Sequence, residues 1–226
     1  MIATPHLQAY YRMETGGLDC SGKGNHLTNY GTTFPQGKVG NCADFDGVDD
    51  RLDGGNVLNL GTDSWFISFW IKPDTTAGLM GVFGKVVEAG EVYRYAMYYE
   101  ANKIHIICHT MHDIPINVSY TPAGQWSYIE LSIARVFISG SNYKYVVNCW
   151  INREHLIIDF TDGNPGYWNF QTPFPFRIGS YTLNNPPTYS PGHFFNGKID
   201  EFVMYNKLMS DSDRNRIYLG MHPLNG

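Results

Sequence analysis

The sequence predicts an all-β fold: a two-sheet antiparallel jelly-roll sandwich with one short C-terminal helix. Aromatic residues reach 15%, with 16 tyrosines, while charged residues make up only 16%. That balance suits pleated strand surfaces, which carry aromatic and β-branched side chains well. Short apolar or alternating runs also recur between Gly, Pro, Asn and Asp turn signals, the spacing of a sandwich or jelly roll. Helix signals at both ends of a segment occur once, near the C-terminus.

In chain order, the acidic run "ADFDGVDDRLDGG" (43–55) reads as a hairpin turning at Asp46-Gly47, since Asp-Gly supports a tight turn. "DSWFISFWIKP" (63–73) is apolar on both faces, as an inner strand must be. "EVYRYAMYYE" (91–100) places Tyr93, Tyr95 and Tyr99 on one face, where packing is the expected role. "NKIHIICH" (102–109) alternates Ile104, Ile106 and Cys108 against His105. Further strands are read at 125–134, 142–152, 154–160, 174–181 and 196–206. The segment 161–195 is rich in Pro, Asn and aromatics, and apart from "FRIGSY" it reads as long surface loops. The helix is "SDSDRNRIYLG": Ser210 is an N-cap with Asp213 three residues on, and Gly220 is a C-cap. No linker, repeat or composition shift divides the 226 residues, so one domain, 1–226, is expected.

Lys+Arg total 16 against 21 Asp+Glu, a net charge of −5. Such a chain gains no attraction to phosphate backbones or anionic membranes, so neither nucleic acid nor membrane insertion is expected. No apolar run approaches the ~20 residues that span a bilayer. "MIATPHLQAYYRME" lacks the basic and apolar regions of a secretory signal, which predicts synthesis in the cytoplasm and reduced thiols. Cys108 and Cys149 sit in strand-like runs as small hydrophobes; a Cys20–Cys42 bridge stays open for an oxidising setting.

Most catalytic patterns fail. "GGLDCSGKG" mimics a phosphate loop, but Gly24 stands where Ser or Thr would hold magnesium, and no helix follows to face a phosphate. The acidic run does not fit an EF-hand. No nucleophile elbow is present. Glycoside hydrolysis needs two carboxylates flanking the sugar bond, yet "KIDEFVMY" has Lys198 where the first Glu of that pattern belongs, and Glu130 in "YIELSIAR" stands alone.

The ordered segments "YYRMETGGLDCSGKGNHL", "GKVGNCADFDGVDDRL", "WFISFWIKP", "YVVNCWIN", "FRIGSY" and "FFNGKIDEFVMYNKLMSDSD" resemble the laminin G-like, concanavalin A-like lectin/glucanase superfamily over nearly the whole chain. The resemblance implies a jelly roll that binds glycans, proteins or cell surfaces, often with a structural calcium ion. Carried over by position, the calcium ligands are Asp19, Asn25 and Asp200. Cys42 stands where Ala is usual and Arg153 where Gly is usual, so the hairpin after "WIN" differs. Exposed-looking aromatics with neighbouring amides mark Tyr167, Trp168, Asn169 and Tyr189 as the ligand-binding surface.

The resulting expectation is a non-catalytic recognition module for glycan or a cell or particle surface. A lectin-like fold without an export signal suggests display on a virion, as in phage. The alternatives are a structural decoration or docking subunit of a larger assembly, and a glycoside-active enzyme on the same scaffold.

Overall fold

A computed structural model describes residues 4–87, 92–108, 113–140, 142–161, 170–182 and 191–221. The first strands are β1 (Leu7–Tyr11), β2 (Thr28–Tyr30), β3 (Ala43–Asp46), β4 (Arg51–Asp53), β5 (Trp65–Pro73) and β6 (Met80–Val87). Next come β7 (Val92–Glu100), β8 (Lys103–Cys108), β9 (Asp113–Asn117), β10 (Ser127–Ser139), β11 (Asn142–Ile151) and β12 (Glu154–Thr161). Short β13 (Arg177–Ile178), β14 (Tyr181–Thr182) and β15 (Pro191–Gly192) precede β16 (Asn196–Tyr205) and the helix α1 (Asp211–Tyr218).

They form two sheets. One runs β1-β16-β5-β10-β11-β12, with β3 on β16; the other runs β2-β4-β13-β6-β7-β8-β9, with β14 and β15 beside β6. Described pairings are antiparallel except for a parallel bridge between Thr182 and Val87. β5 lies between β16 and β10 and is buried at all but one of its positions, as its two-faced apolar sequence requires. Phe69 and Phe202 from one sheet meet Phe83 from the other, with ring centroids 5.4–5.5 Å apart. Trp65 adds an edge contact to Phe170 at 5.8 Å. Tyr95 and Tyr99 are buried core residues, their hydroxyls bonded to Leu58 O and Thr121 Oγ1.

Two expectations change. The Asp46-Gly47 turn does not close a hairpin: β3 pairs with β16 and β4 with β2 and β13, so it carries the chain from one sheet to the other. Phe45 and Leu52 then enter the same core from opposite sides. The 161–195 segment outside "FRIGSY" is also not all surface, because Phe170 and Phe195 are buried in the core.

The outer face of the seven-stranded sheet is covered in part by α1. Ser210 caps the helix by accepting the Asp213 N–H at 3.1 Å. At the far end Gly220 has φ +72°, and Gly220 and Met221 donate to the carbonyls of Ile217 and Arg216, a Schellman closure. Ile217 packs with Leu7, Tyr10, Phe66, Val203 and Tyr205, and Tyr218 packs on Trp70 and Tyr128. No described helix is long and apolar enough to cross a membrane.

Candidate functional site

The loop 16–27 is organised around Asp19. Its Oδ1 accepts the N–H groups of Tyr10 (3.0 Å) and Ser21 (2.9 Å). Its Oδ2 accepts the Ser21 hydroxyl (2.8 Å) and the Asn25 N–H (2.9 Å). Gly22 and Gly24, with φ of +83° and +77°, let the chain curl back on the carboxylate, and the Asn25 side-chain amide donates to Gln8 O. The Asp19 carboxylate is nearly buried and its lone pairs are all met by donors.

Asp200 stands apart from this set. Its Oδ2 accepts the N–H groups of Lys38 (2.9 Å) and Val39 (2.8 Å), while Oδ1 has no hydrogen-bond partner. Burial pushes its carboxyl up to about 7. The structure thus joins Asp19 to Asn25 but gives Asp200 separate partners. Both Asp19 oxygens face N–H or O–H donors, whose positive ends occupy the directions a cation needs, whereas Asp200 Oδ1 faces none. Asp19, with its lone pairs met by donors, does not fit a calcium ligand in this arrangement. Replacing Asp19 by Ala is expected to cost about 1–3 kcal/mol, because buried donors lose their acceptor. Thermal melts should show the same loss in calcium and in chelator; a calcium-dependent loss would restore the metal reading.

Asp46, Asp49 and Asp50 bring carboxylate oxygens within 4.8 Å of one another. Asp46 Oδ1 accepts the N–H groups of Val48 and Asp49, and Asp50 Oδ2 accepts the Asp46 N–H. These bonds hold the Asp46 carboxyl below its ordinary range, and they account for the acids as turn-forming residues. Cys20, Cys42 and Cys149 are free thiols. Tyr167, Trp168, Asn169 and Tyr189 lie outside the described residues.

Beside α1, the outer sheet face forms two adjoining cavities of about 280 and 240 Å³. Both are lined by Trp150, Asp211 and Arg214. Strand alternation turns Glu130, Ser132 and Ala134 of β10, and Asn148 and Trp150 of β11, away from the core. Arg214 spans the space between helix and sheet. Its Nε and Nη2 donate to the Glu130 carboxylate at 3.0 and 3.1 Å, its Nη1 donates to Asp211 at 3.1 Å, and its guanidinium lies 3.7 Å from the Trp150 ring centroid. Exposed His155 stacks on Trp150 at 4.7 Å and bonds Asn148 Oδ1.

Arg153 closes the rim. It and Asn152 form the two-residue turn between β11 and β12, with φ of +73° and +51°, the geometry of a type I′ hairpin. Asn and Gly suit such a turn, whereas a long side chain at positive φ is strained. Arg153 Nη1 donates to Asn215 Oδ1 of α1, and its guanidinium approaches the Tyr218 ring at 5.2 Å. The sequence signal was Arg153 at a glycine position; the cavity itself was missed, because its residues come from β5, β10, β11, the turn, α1 and the segment before α1.

No protein-family model and no curated protein matches the sequence. Solved structures do match in fold. The binding domain of botulinum neurotoxin serotype D/C superposes with a TM-score of 0.65 at 14% identity, covering 97% of this chain and 53% of that one. A botulinum neurotoxin type C structure gives 0.62 at 13% identity, covering 97% and 52%. The binding domain of botulinum neurotoxin DC gives 0.61 at 13%, covering 97% and 53%. The chain spans about half the length of these structures, and at such identity the likeness is one of fold: a two-sheet β-sandwich.

Proposed function

We propose that this chain is a non-catalytic recognition module of the lectin-like sandwich class, with its glycan-binding surface in the cavity pair around Trp150. The observation that carries the proposal is the joining of two open cavities through one aromatic ring, with planar polar groups around it. Sugars present apolar ring faces and dense hydroxyls. Trp150, Leu208 and Met209 meet the first; Asn148, Ser132, Asn215 and Arg153 meet the second. His155, exposed on the Trp150 ring, is the side chain a sugar ring replaces there.

The strain at Arg153 supports the same reading: an arginine held in a glycine conformation is kept for what its guanidinium reaches. The neighbours in fold add context. Cell entry of botulinum neurotoxin type C depends on interaction with two ganglioside molecules, and the DC binding domain forms a complex with rat synaptotagmin II. The laminin G-like motifs of the sequence point the same way. Catalysis is disfavoured by the chemistry of the cavity: both Glu130 oxygens accept from Arg214, which leaves that carboxyl no role as a proton donor.

A glycan array with the parent chain, Trp150→Ala and Arg153→Gly tests this. The parent is expected to give hits that Trp150→Ala weakens roughly tenfold or more, the loss of an aromatic anchor. Arg153→Gly suits the turn, so it should keep the melting temperature yet bind less. Absence of hits, or hits indifferent to both variants, would overturn the assignment.

A further inference from the structure

The larger cavity beside α1 holds donors that no described residue answers. Arg153 gives one Nη1 hydrogen bond to Asn215 Oδ1 and brings its guanidinium toward the Tyr218 ring. Its Nε–Nη2 edge has no acceptor among the described residues. The Asn215 amide accepts that bond through its oxygen, and its own N–H groups donate to no described residue. The Trp150 indole N–H is in the same position, since the described contacts of that side chain are ring contacts with Arg214 and His155. All three residues line the same cavity.

The acceptors of this cavity are already engaged. Both Glu130 oxygens accept from Arg214, and Asp211 Oδ1 accepts from the same guanidinium. The Asp211 side chain is otherwise in solvent, 99% exposed. Glu154, exposed, follows Arg153 in the chain, yet no described carboxylate forms an ion pair with Arg153. One guanidinium of the cavity is thus matched by two carboxylates. The other, among the described residues, is matched by neutral groups alone. Surplus donors around an unmatched cation are complementary to a ligand that is rich in acceptors and negatively charged.

We propose that the glycan bound here is acidic: a sugar carboxylate pairs with the Nε–Nη2 edge of Arg153 in the larger cavity, while an adjoining neutral ring rests on Leu208 and Met209 in the smaller one. The inference rests on the glycan reading of the Trp150 cavities. Arg214 displays the same geometry a few ångströms of cavity away, where its Nε and Nη2 hold the Glu130 carboxylate at 3.0 and 3.1 Å. The edge that Arg214 uses is the edge that Arg153 leaves unused. A planar carboxylate meets two parallel N–H groups there, the strong two-pronged form of ion pair. Asn215, oriented by its bond to Arg153, adds N–H donors for oxygens nearby. A neutral sugar would leave the charge of Arg153 without a counterpart, and an amide at this position would serve its hydroxyls as well. The strained backbone at Arg153, φ +73°, is therefore kept for a charged fork. The net charge of −5 offers no long-range attraction to an anion, so the preference for an acid rests on this close contact.

The test is a glycan array of pairs that differ in the carboxyl group: glucuronides beside glucosides, and sialosides beside their carboxyl-reduced forms. It is read with the parent chain, Trp150→Ala, Arg153→Gln and Arg153→Lys. Acidic members are expected to bind the parent about tenfold or more tighter than their neutral partners. Gln donates to hydroxyls but carries no charge, so Arg153→Gln should bring that ratio close to one. Lys keeps the charge without the fork and should retain only part of the ratio. An Arg153 that merely ties the turn to α1 would lower both members alike and leave the ratio standing, which would overturn the proposal. Signals that Trp150→Ala removes, but that are equal for acidic and neutral members, would overturn the acid and leave the glycan reading intact. No signal, or signal indifferent to Trp150→Ala, would overturn both. A preference that follows sulfate esters instead of carboxylates, or displacement of the acidic glycans by poly-glutamate, would also overturn the proposal, assigning Arg153 to a sulfated glycan or to an acidic protein segment.

Discussion

Replacing Arg214 by Met is expected to destabilise the fold by about 3–5 kcal/mol, the cost of leaving a buried charge uncompensated. Glu130 lies in β10, flanked by β5 and β11, with its side chain only 2% exposed. Both of its oxygens are satisfied by one guanidinium in a two-pronged geometry, the strong form of this interaction. α1 has eight residues and buries only Ile217 fully. A helix that short does not persist on propensity alone, so the pair is a principal tether between α1 and the sheet. A second variant separates this tether from mere packing. Removing both charges, as Glu130→Leu with Arg214→Met, eliminates the stranded carboxylate and should recover much of the loss. Urea unfolding of the parent, the single and the double variant measures it. A single variant costing under about 1 kcal/mol, or a double variant worse than the single, would refute the role assigned to the pair.

The parts of this fold that were legible in the sequence are those whose signal is local. β5 announced itself because both of its faces are buried, and α1 because Ser210 and Gly220 do their work within one turn of the helix. β6 was invisible for the opposite reason. Its Gly81 and Gly84 weaken any strand pattern, yet an added Cβ would lie 2.6 Å from the Tyr181 ring at Gly81 and 2.7 Å from the Ala96 Cβ at Gly84. Those glycines answer to neighbours that only the fold supplies. β1 was missed because "LQAYY" is short and takes its meaning from β16, nearly two hundred residues away. The Asp46-Gly47 turn was recognised but misassigned, since turn chemistry does not say which sheet the next strand joins. The cavity around Trp150 has no motif at all. Glu130 was noted as a lone acid and Arg153 as a misplaced arginine, and only the packing of α1 turns them into one site.

The second large effect concerns Lys85, and it is a dependence on pH. Lys85 is fully buried in β6, where its Nζ donates to Val57 O (2.7 Å), Asn56 Oδ1 (3.0 Å) and Asn59 Oδ1 (3.1 Å). The acceptors are neutral, so burial pushes its ammonium down to about 7. Between that value and the ordinary lysine value of 10.5, the unfolded chain holds a proton that the folded chain has released. Stability therefore rises with pH across this window, by at most about 1.4 kcal/mol per unit, and is lost again as pH falls toward 7. The three acceptors favour the ammonium and make the real slope shallower. Opposing contributions begin near pH 9, because burial raises the thiols of Cys42 and Cys149 to about 11 and about 12. Those thiols stay protonated in the fold while the unfolded thiols ionise, so they lower stability as pH rises. The difference between the parent and Lys85→Met cancels them. Methionine keeps the apolar stem, and the surrounding oxygens are largely cared for: Asn56 Oδ1 still accepts from the Asn59 amide and Asn59 Oδ1 from the Thr172 N–H. The expected result is a parent that gains on the Met variant steadily from pH 7 to 9. A difference that is flat over this range would mean that Lys85 keeps its proton in the fold, held by the three oxygens against the pull of burial.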